Sequence, residues 1–364
     1  MTKIIAAIII GLTYSTSFGQ HSAYNRIANH YTKTQNFSGA ILVAKPGHPT
    51  YLHYAGLASK ELQVPVTKTT KFKICSITKT FTVAMLLKLA EEGKLKLDAT
   101  IGTYFPGYIG EGKDKVNLHQ LITYSSGIPD CEGNTGLAVY QTEIARDSFI
   151  NRYCSGALAT TPGSTFKYEN GGYIILGKII ELATGKSYAE NLHTMILEPL
   201  GMKNTGFIAD RRLVKELAQA YLYNDSTKSF TNDPPYYIEN YHASAAMYST
   251  VEDLLKFDQA LFNYKLLSKA TIGLMLTSYP KLWSVAYGFW VTENKYGNIK
   301  ARAADRQGAM TGSNTSWLHL VDQNITVIIF SNTNATPINE LREKLTLAAL
   351  NQPYELPKHK SLGP

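Results

Sequence analysis

Cysteine is scarce in this chain. Cys75, Cys131 and Cys154 are the three among 364 residues, too few for a disulfide scaffold and at spacings that fit no zinc site. The nine histidines include no HExxH pair, which removes the zinc-protease signature. No G-x-S-x-G elbow occurs, so an α/β-hydrolase triad finds no support. Internal repeats, low-complexity tracts and Pro/Ser-rich linkers are also missing, which excludes a solenoid or a string of tethered modules. After residue 12 no apolar run approaches the roughly 20 residues that span a bilayer, so no stable membrane insertion is expected. The net charge of +8 comes without a basic block. Its lysines, such as Lys71, Lys73, Lys88 and Lys94, are scattered, and no zinc-finger, homeodomain or RRM pattern accompanies them. Nucleic acid is therefore not an expected partner.

What is present reads as an ordinary globular chain, 44% hydrophobic and 18% charged. The start has the order of an export leader: Lys3, an apolar run from Ile4 to Leu12, then the small-x-small pattern Ser17-Phe18-Gly19. A signal peptide over 1–19 is expected, with the mature chain exported to the periplasm or secreted. No cysteine near Gly19 offers a lipid attachment point. In an oxidising compartment Cys131 and Cys154 can pair and leave Cys75 free; three unpaired buried thiols are the alternative.

Strand signals lie at both ends of the chain. Phe37 to Ala44, a Pro46-Gly47 turn and Thr50 to Gly56 form a hairpin pattern. Tyr287 to Thr292, Trp317 to Val321 and Ile325 to Asn332 are rich in β-branched and aromatic residues. Helical spacing runs from Ser76 through Phe81, Met85, Leu86, Leu89 and Ala90 to a stop at Gly93. It recurs over Tyr173 to Leu182 before Gly185, over Val251 to Phe262 behind a Ser249-Thr250 cap, over Lys269 to Leu276, and over Glu340 to Leu350. The fold class expected is α/β: an antiparallel sheet flanked by helices and split by a mainly helical insertion. One domain over 20–352 is expected, its α/β part at about 22–95 and 283–352 and its helical part at about 96–282, with a tail at 353–364.

Ser76-Ile77-Thr78-Lys79 stands where a strand meets the first long helix. Residues three apart share a helix face, so the Lys79 amine can lie beside the Ser76 hydroxyl. A serine needs such a base to act as a nucleophile, and burial near other cations lowers a lysine's pKa toward that task. A helix N-terminus favours an oxyanion beside it. Tyr168-Glu169-Asn170 precedes another helix, where a tyrosine can shuttle a proton and an amide can hold a substrate carbonyl. Arg306-Gln307-Gly308 precedes the last strand pair. A cation and a glycine on an edge strand anchor a carboxylate and let substrate lie against backbone.

In this order and spacing, Ser76-x-x-Lys79, Tyr168-x-Asn170 and a basic-x-Gly strand resemble the penicillin-recognising serine hydrolases. The nearest branch resembles the class C β-lactamases, the D-alanyl-D-alanine carboxypeptidases and related esterases. Phe37-Ser38-Gly39, the run Leu121 to Ile128, Leu197-Glu198-Pro199-Leu200-Gly201-Met202 and the run Tyr248 to Leu254 resemble family landmarks as well. The resemblance implies a β-lactamase/transpeptidase-like fold and hydrolysis of an amide or ester through a Ser76 acyl-enzyme. The acyl donor would be a D-alanyl peptide from peptidoglycan, a β-lactam or a small ester. It also implies Lys79 as base, Tyr168 as proton shuttle, Asn170 bonded to the substrate amide, and an oxyanion hole of the Ser76 and Ala309 N–H groups beside Gly308. No metal or organic cofactor is implied. A catalytically silent relative that binds cell-wall fragments is the alternative.

Two departures bear on the pocket. The third motif begins with Arg306 where the family has Lys or His, and arginine cannot accept a proton. A rival register puts Met310-Thr311-Gly312 on that motif, with no cation. Ser313-Asn314 also replaces the aromatic residue that usually follows the glycine.

Overall fold

The computed structural model describes residues 20–133 and 135–357. The leader expected at 1–19 and the tail beyond residue 357 lie outside the described residues. The described chain opens with a helix over residues 20–34 (α1), which the strand-like reading of the N-terminal part did not anticipate. Its Tyr24, Ile27, Ala28 and Tyr31 recur at helical spacing and are all buried.

Strands β1 (Gly39–Lys45) and β2 (His48–Ala55) follow as the expected hairpin. The chain then passes through helix α2 (Thr78–Glu91), α3 (Gly171–Thr184) and α4 (Val251–Phe262). It returns as β3 (Trp290–Tyr296), β4 (Ile299–Met310), β5 (Ser313–Leu320) and β6 (Ile325–Ser331), and closes with α5 (Ile338–Ala349). The sheet order is β3-β4-β5-β6-β1-β2. Every pair is antiparallel, and β1 docks on β6 with Gly39 opposite Ser331. This is the expected architecture, with sheet segments from both ends of the chain around a mainly helical middle.

Period-two alternation gives the sheet two buried faces. Ile41, Val43, Leu318, Val327 and Ile329 pack against α1 and α5. Ala40, Leu42, Trp317, Ile328 and Phe330 face α2 and α4. Between those helices Phe81 stacks on Phe257 with ring centroids 3.9 Å apart. Beneath them Asp258 accepts hydrogen bonds from Trp317 Nε1 at 2.7 Å and Thr326 Oγ1 at 2.7 Å and contacts His319 Nδ1 at 3.1 Å, all of them buried. Buried polar groups bonded in this way meet the cost of leaving water.

Helix α2 is buried around its whole first part rather than along one apolar stripe. Thr78 through Leu87 are all buried, Lys79 included, so the helix runs through the middle of the molecule. It ends as expected: Gly93 takes φ +71 and Lys94 N–H returns to the Leu89 carbonyl at 2.9 Å. Strand β3 starts three residues later than its sequence signal. Strand β4, Ala- and Arg-rich, carried no strand signal; paired strands on both sides hold it extended. All three cysteines are free and buried, which is the unpaired alternative of the two that the sequence left open. Among the described residues, no helix is long and apolar enough to cross a membrane.

Candidate active site

The path into Ser76 is fixed by main chain. Phe72–Lys73 pairs with Met247–Ser249, and the Ile74 N–H donates to the Met247 carbonyl at 3.0 Å. Cys75 then turns into the left-handed region at φ +50, which for a non-glycine residue costs about 1–2 kcal/mol. Ser76 follows on a single 3-10 turn, Cys75–Ile77, so it stands just ahead of α2 rather than inside it. Burial pushes the Cys75 thiol up to about 12, which leaves it inert beside the serine.

Lys79, one turn on, brings Nζ to 3.2 Å from Ser76 Oγ. The same nitrogen donates to Asn170 Oδ1 at 2.6 Å and to the Ser244 carbonyl at 3.1 Å. Those two partners only accept, so two of the amine's hydrogens are committed to them. The third position faces the serine hydroxyl, as a hydrogen when the lysine is charged and as a lone pair when it is neutral. Burial pulls the Lys79 pKa down, the Tyr168 hydroxyl opposes that, and Arg306 adds to the fall.

Tyr168 approaches from the loop before α3, its hydroxyl 2.8 Å from Ser76 Oγ. The residue is 39% exposed, yet its hydroxyl donates to Ser76 Oγ and accepts from Arg306 Nη2, with Lys79 Nζ 5.0 Å from the ring centroid. Burial alone raises the phenol; the two cations and the Ser76 hydrogen bond outweigh it and bring the pKa down to about 8.

Arg306 lies on β4, one residue past the point where β3 ends its pairing at Asp305. From there to Met310 only β5 flanks the strand, so this segment is the expected edge. The guanidinium is fully buried. Its Nε donates to the Ser76 carbonyl at 2.8 Å, Nη1 to Tyr124 Oη at 3.1 Å and Nη2 to Tyr168 Oη at 3.4 Å. With no surface toward solvent it is not the expected carboxylate anchor; its charge is spent on Tyr168. The rival register falls away as well. Gly312 N–H donates to Asp233 Oδ1 at 3.0 Å, and a Cβ on Gly312 would meet the Tyr221 backbone, whereas Arg306 and Gly308 meet the Ser76 turn itself.

Gly308 is needed for space. A Cβ there would stand 2.4 Å from the Ile74 carbonyl oxygen and 2.9 Å from Ser76 N. The strand backbone thus lies directly against the nucleophile's turn, with Ala309 next along the exposed side.

Asn170 has both ends of its amide engaged. Oδ1 accepts from Lys79, while Nδ2 donates to Glu132 Oε1 at 2.7 Å and reaches Tyr140 Oη at 3.3 Å. In this arrangement the amide orients Lys79 through Oδ1 and turns its Nδ2 toward Glu132 and Tyr140. Glu169 accepts from the Gly172 N–H at 2.7 Å; burial pushes its carboxyl up to about 7. Sequence reasoning passed over Glu132, Tyr140 and Ser244, which carry no local motif. Tyr124 lay within a recognised landmark, though its contact with Arg306 had no sequence signal.

Residues 25–351 match the beta-lactamase family. The chain is 28% identical to penicillin-binding protein 4* of Bacillus subtilis over 347 residues, covering 88% of this chain and 74% of that one. It is 27% identical to the teichoic acid D-alanine hydrolase of Staphylococcus aureus, covering 73% of this chain and 65% of that relative. Its fold matches an octameric penicillin-binding protein homologue from Pyrococcus abyssi with a TM-score of 0.75 and 26% identity, over 91% of this chain and 77% of that one. With the family matched across nearly the whole described chain, the protein belongs to the beta-lactamase family of serine hydrolases.

Proposed function

We propose that the protein hydrolyses an amide or ester of D-alanine through an acyl-enzyme on Ser76, outside the cytoplasm. One observation carries this reading: Ser76 Oγ is contacted by two proton-transfer groups at once, Lys79 Nζ at 3.2 Å and Tyr168 Oη at 2.8 Å. In the acylation step the Ser76 oxygen attacks the carbonyl carbon as its proton passes to the Tyr168 phenolate or the Lys79 amine. The carbonyl oxygen takes up negative charge between the N–H groups of Ser76 and Ala309, which the close approach of Gly308 brings near one another. Collapse expels the leaving group, which receives a proton from the same pair. Water then attacks the ester with Tyr168 as base, restoring Ser76.

The buried Arg306 keeps its charge and holds Tyr168 toward its anion. The chemical role lies with Tyr168, and arginine in place of Lys or His does not interrupt the relay. A relative named as a teichoic acid D-alanine hydrolase supports the choice of D-alanine. The test is intact-protein mass spectrometry during turnover of p-nitrophenyl acetate, a D-alanine ester and a penicillin. A mass increase that disappears in Ser76→Ala is expected. Binding of cell-wall fragments with no covalent adduct would establish the silent-binder alternative.

A further inference from the structure

Glu132 holds a carboxylate one amide group away from the catalytic lysine. Its Oε1 accepts from Asn170 Nδ2 at 2.7 Å and from Tyr140 Oη at 2.9 Å. Tyr140 is itself buried and stacked on Tyr241 with centroids 3.5 Å apart. The loop carrying Glu132 is tied down by its own N–H, which donates to Asp130 Oδ1 at 3.1 Å. The carboxylate is therefore held in place. Yet it is half-buried, and among the described residues no cation lies within 4.0 Å of it. Lys167, the cation paired on the same loop, is 3.7 Å from Asp130 instead. Glu132 Oε2 makes no hydrogen bond among the described residues and is not shut off from solvent.

We infer that Glu132 receives the α-ammonium of an aminoacyl substrate, making the protein selective for aminoacyl esters and amides with a free amine. This rests on the acyl-enzyme reading above and narrows its substrate class. Asn170 links Lys79 to Glu132, so a substituent of the scissile carbonyl that extends past Lys79 along Asn170 meets Glu132. An acylamino group there needs a donor for its carbonyl. Asn170, the amide nearest to hand, already turns its Nδ2 toward Glu132 and Tyr140. A bare ammonium instead meets an uncompensated carboxylate and forms a charge-assisted hydrogen bond. The same pairing disfavours N-acylated compounds, penicillins and peptidyl stems included, because they cover the carboxylate without supplying a cation.

The test compares kcat/KM for D-alanine p-nitroanilide with that for N-acetyl-D-alanine p-nitroanilide within each variant. Carbonyl and leaving group are shared, so the ratio reports only on the amine. The wild type is expected to favour the free amine by about 10- to 100-fold, the size of one charge-assisted bond. Glu132→Gln should bring the ratio near unity, and Glu132→Asp should retain part of it. Glu132→Lys should instead favour the N-succinyl anilide. Thermal melting identifies any variant that does not fold, and Glu132→Asp then serves in its place. A wild-type ratio near unity, or a Glu132→Gln ratio equal to the wild type's, overturns the inference and leaves the acyl-enzyme reading standing. If no ester or anilide acylates Ser76, the acyl-enzyme reading fails and takes this inference with it.

Discussion

Gly308→Ala is a one-carbon test of how closely the nucleophile is held. The backbone of Gly308 lies outside the left-handed region, so alanine meets no conformational barrier and only space is at issue. The new methyl would stand 2.4 Å from the Ile74 carbonyl oxygen, 2.6 Å from Thr315 Oγ1 and 2.9 Å from Ser76 N, where ordinary contact begins near 3.4 Å. The Thr315 hydroxyl can rotate; the other two atoms are main chain. Ile74 is tied to Met247, and β4 is paired to β5 through Gly308 and Thr315. Relief therefore demands that the strand and the serine's turn separate by about 1 Å. Overpacking of this kind costs about 1–3 kcal/mol, and a displacement of about 1 Å at reacting groups costs on the order of 100-fold in rate. Acylation followed by time-resolved intact mass should fall by about that factor, with a lower melting temperature. Gly273→Ala is the matched control. Its Cβ would meet nothing within 4 Å, inside the helix Lys269–Met275. It should add about 0.5–1 kcal/mol of stability with acylation unchanged. Wild-type acylation and melting in Gly308→Ala would refute the close packing of β4 on Ser76.

Tyr168→Phe should lower kcat/KM by about 100- to 10,000-fold, the range of a lost acid–base group. In the wild type kcat/KM should rise as pH climbs through about 8, where the phenolate forms, and level off above it; the phenylalanine variant should lack that limb. Arg306→Gln removes one of the two cations that depress Tyr168, so the limb should shift to higher pH, while Arg306→Lys should shift it less; an unmoved limb in Arg306→Gln would separate the guanidinium from the relay. Asp258→Asn exchanges a buried acceptor of three neighbours for a neutral amide and should cost about 1.5–3 kcal/mol in urea unfolding, with kcat of the folded fraction retained.

The parts of the site legible in the sequence are those joined by short spacing. Ser76 and Lys79 are one helical turn apart, and Tyr168 and Asn170 share a loop, so each pair could be read without tertiary information. What those side chains do to each other was not legible. Arg306 looks from its strand like an anchor for a carboxylate; only the packing of Tyr124 and Trp290 over it turns its charge toward Tyr168. Glu132 had no signal, because its role depends on where Asn170's amide hydrogens point. In the fold, runs rich in β-branched and aromatic residues disclosed β1, β5 and β6, whereas β4 is extended by its pairing with β3 and β5 in spite of its alanines and arginines. Helix α1 had a periodic signal in Tyr24, Ile27, Ala28 and Tyr31 that the strand reading of the N-terminal part passed over.

The docking of β1 on β6, with Gly39 opposite Ser331, bears on the order in which the molecule assembles. The first hairpin has no partner in the sheet until the C-terminal strands exist, and contacts so distant along a chain form slowly. Ser76 and Lys79 can sit side by side as soon as α2 coils. Arg306 and Gly308, which press on the Ser76 turn from 230 residues away, arrive only when the sheet closes. During refolding, helical signal should return first, and the capacity to be acylated should come back with the slowest phase, as a late reporter that both ends of the chain have met.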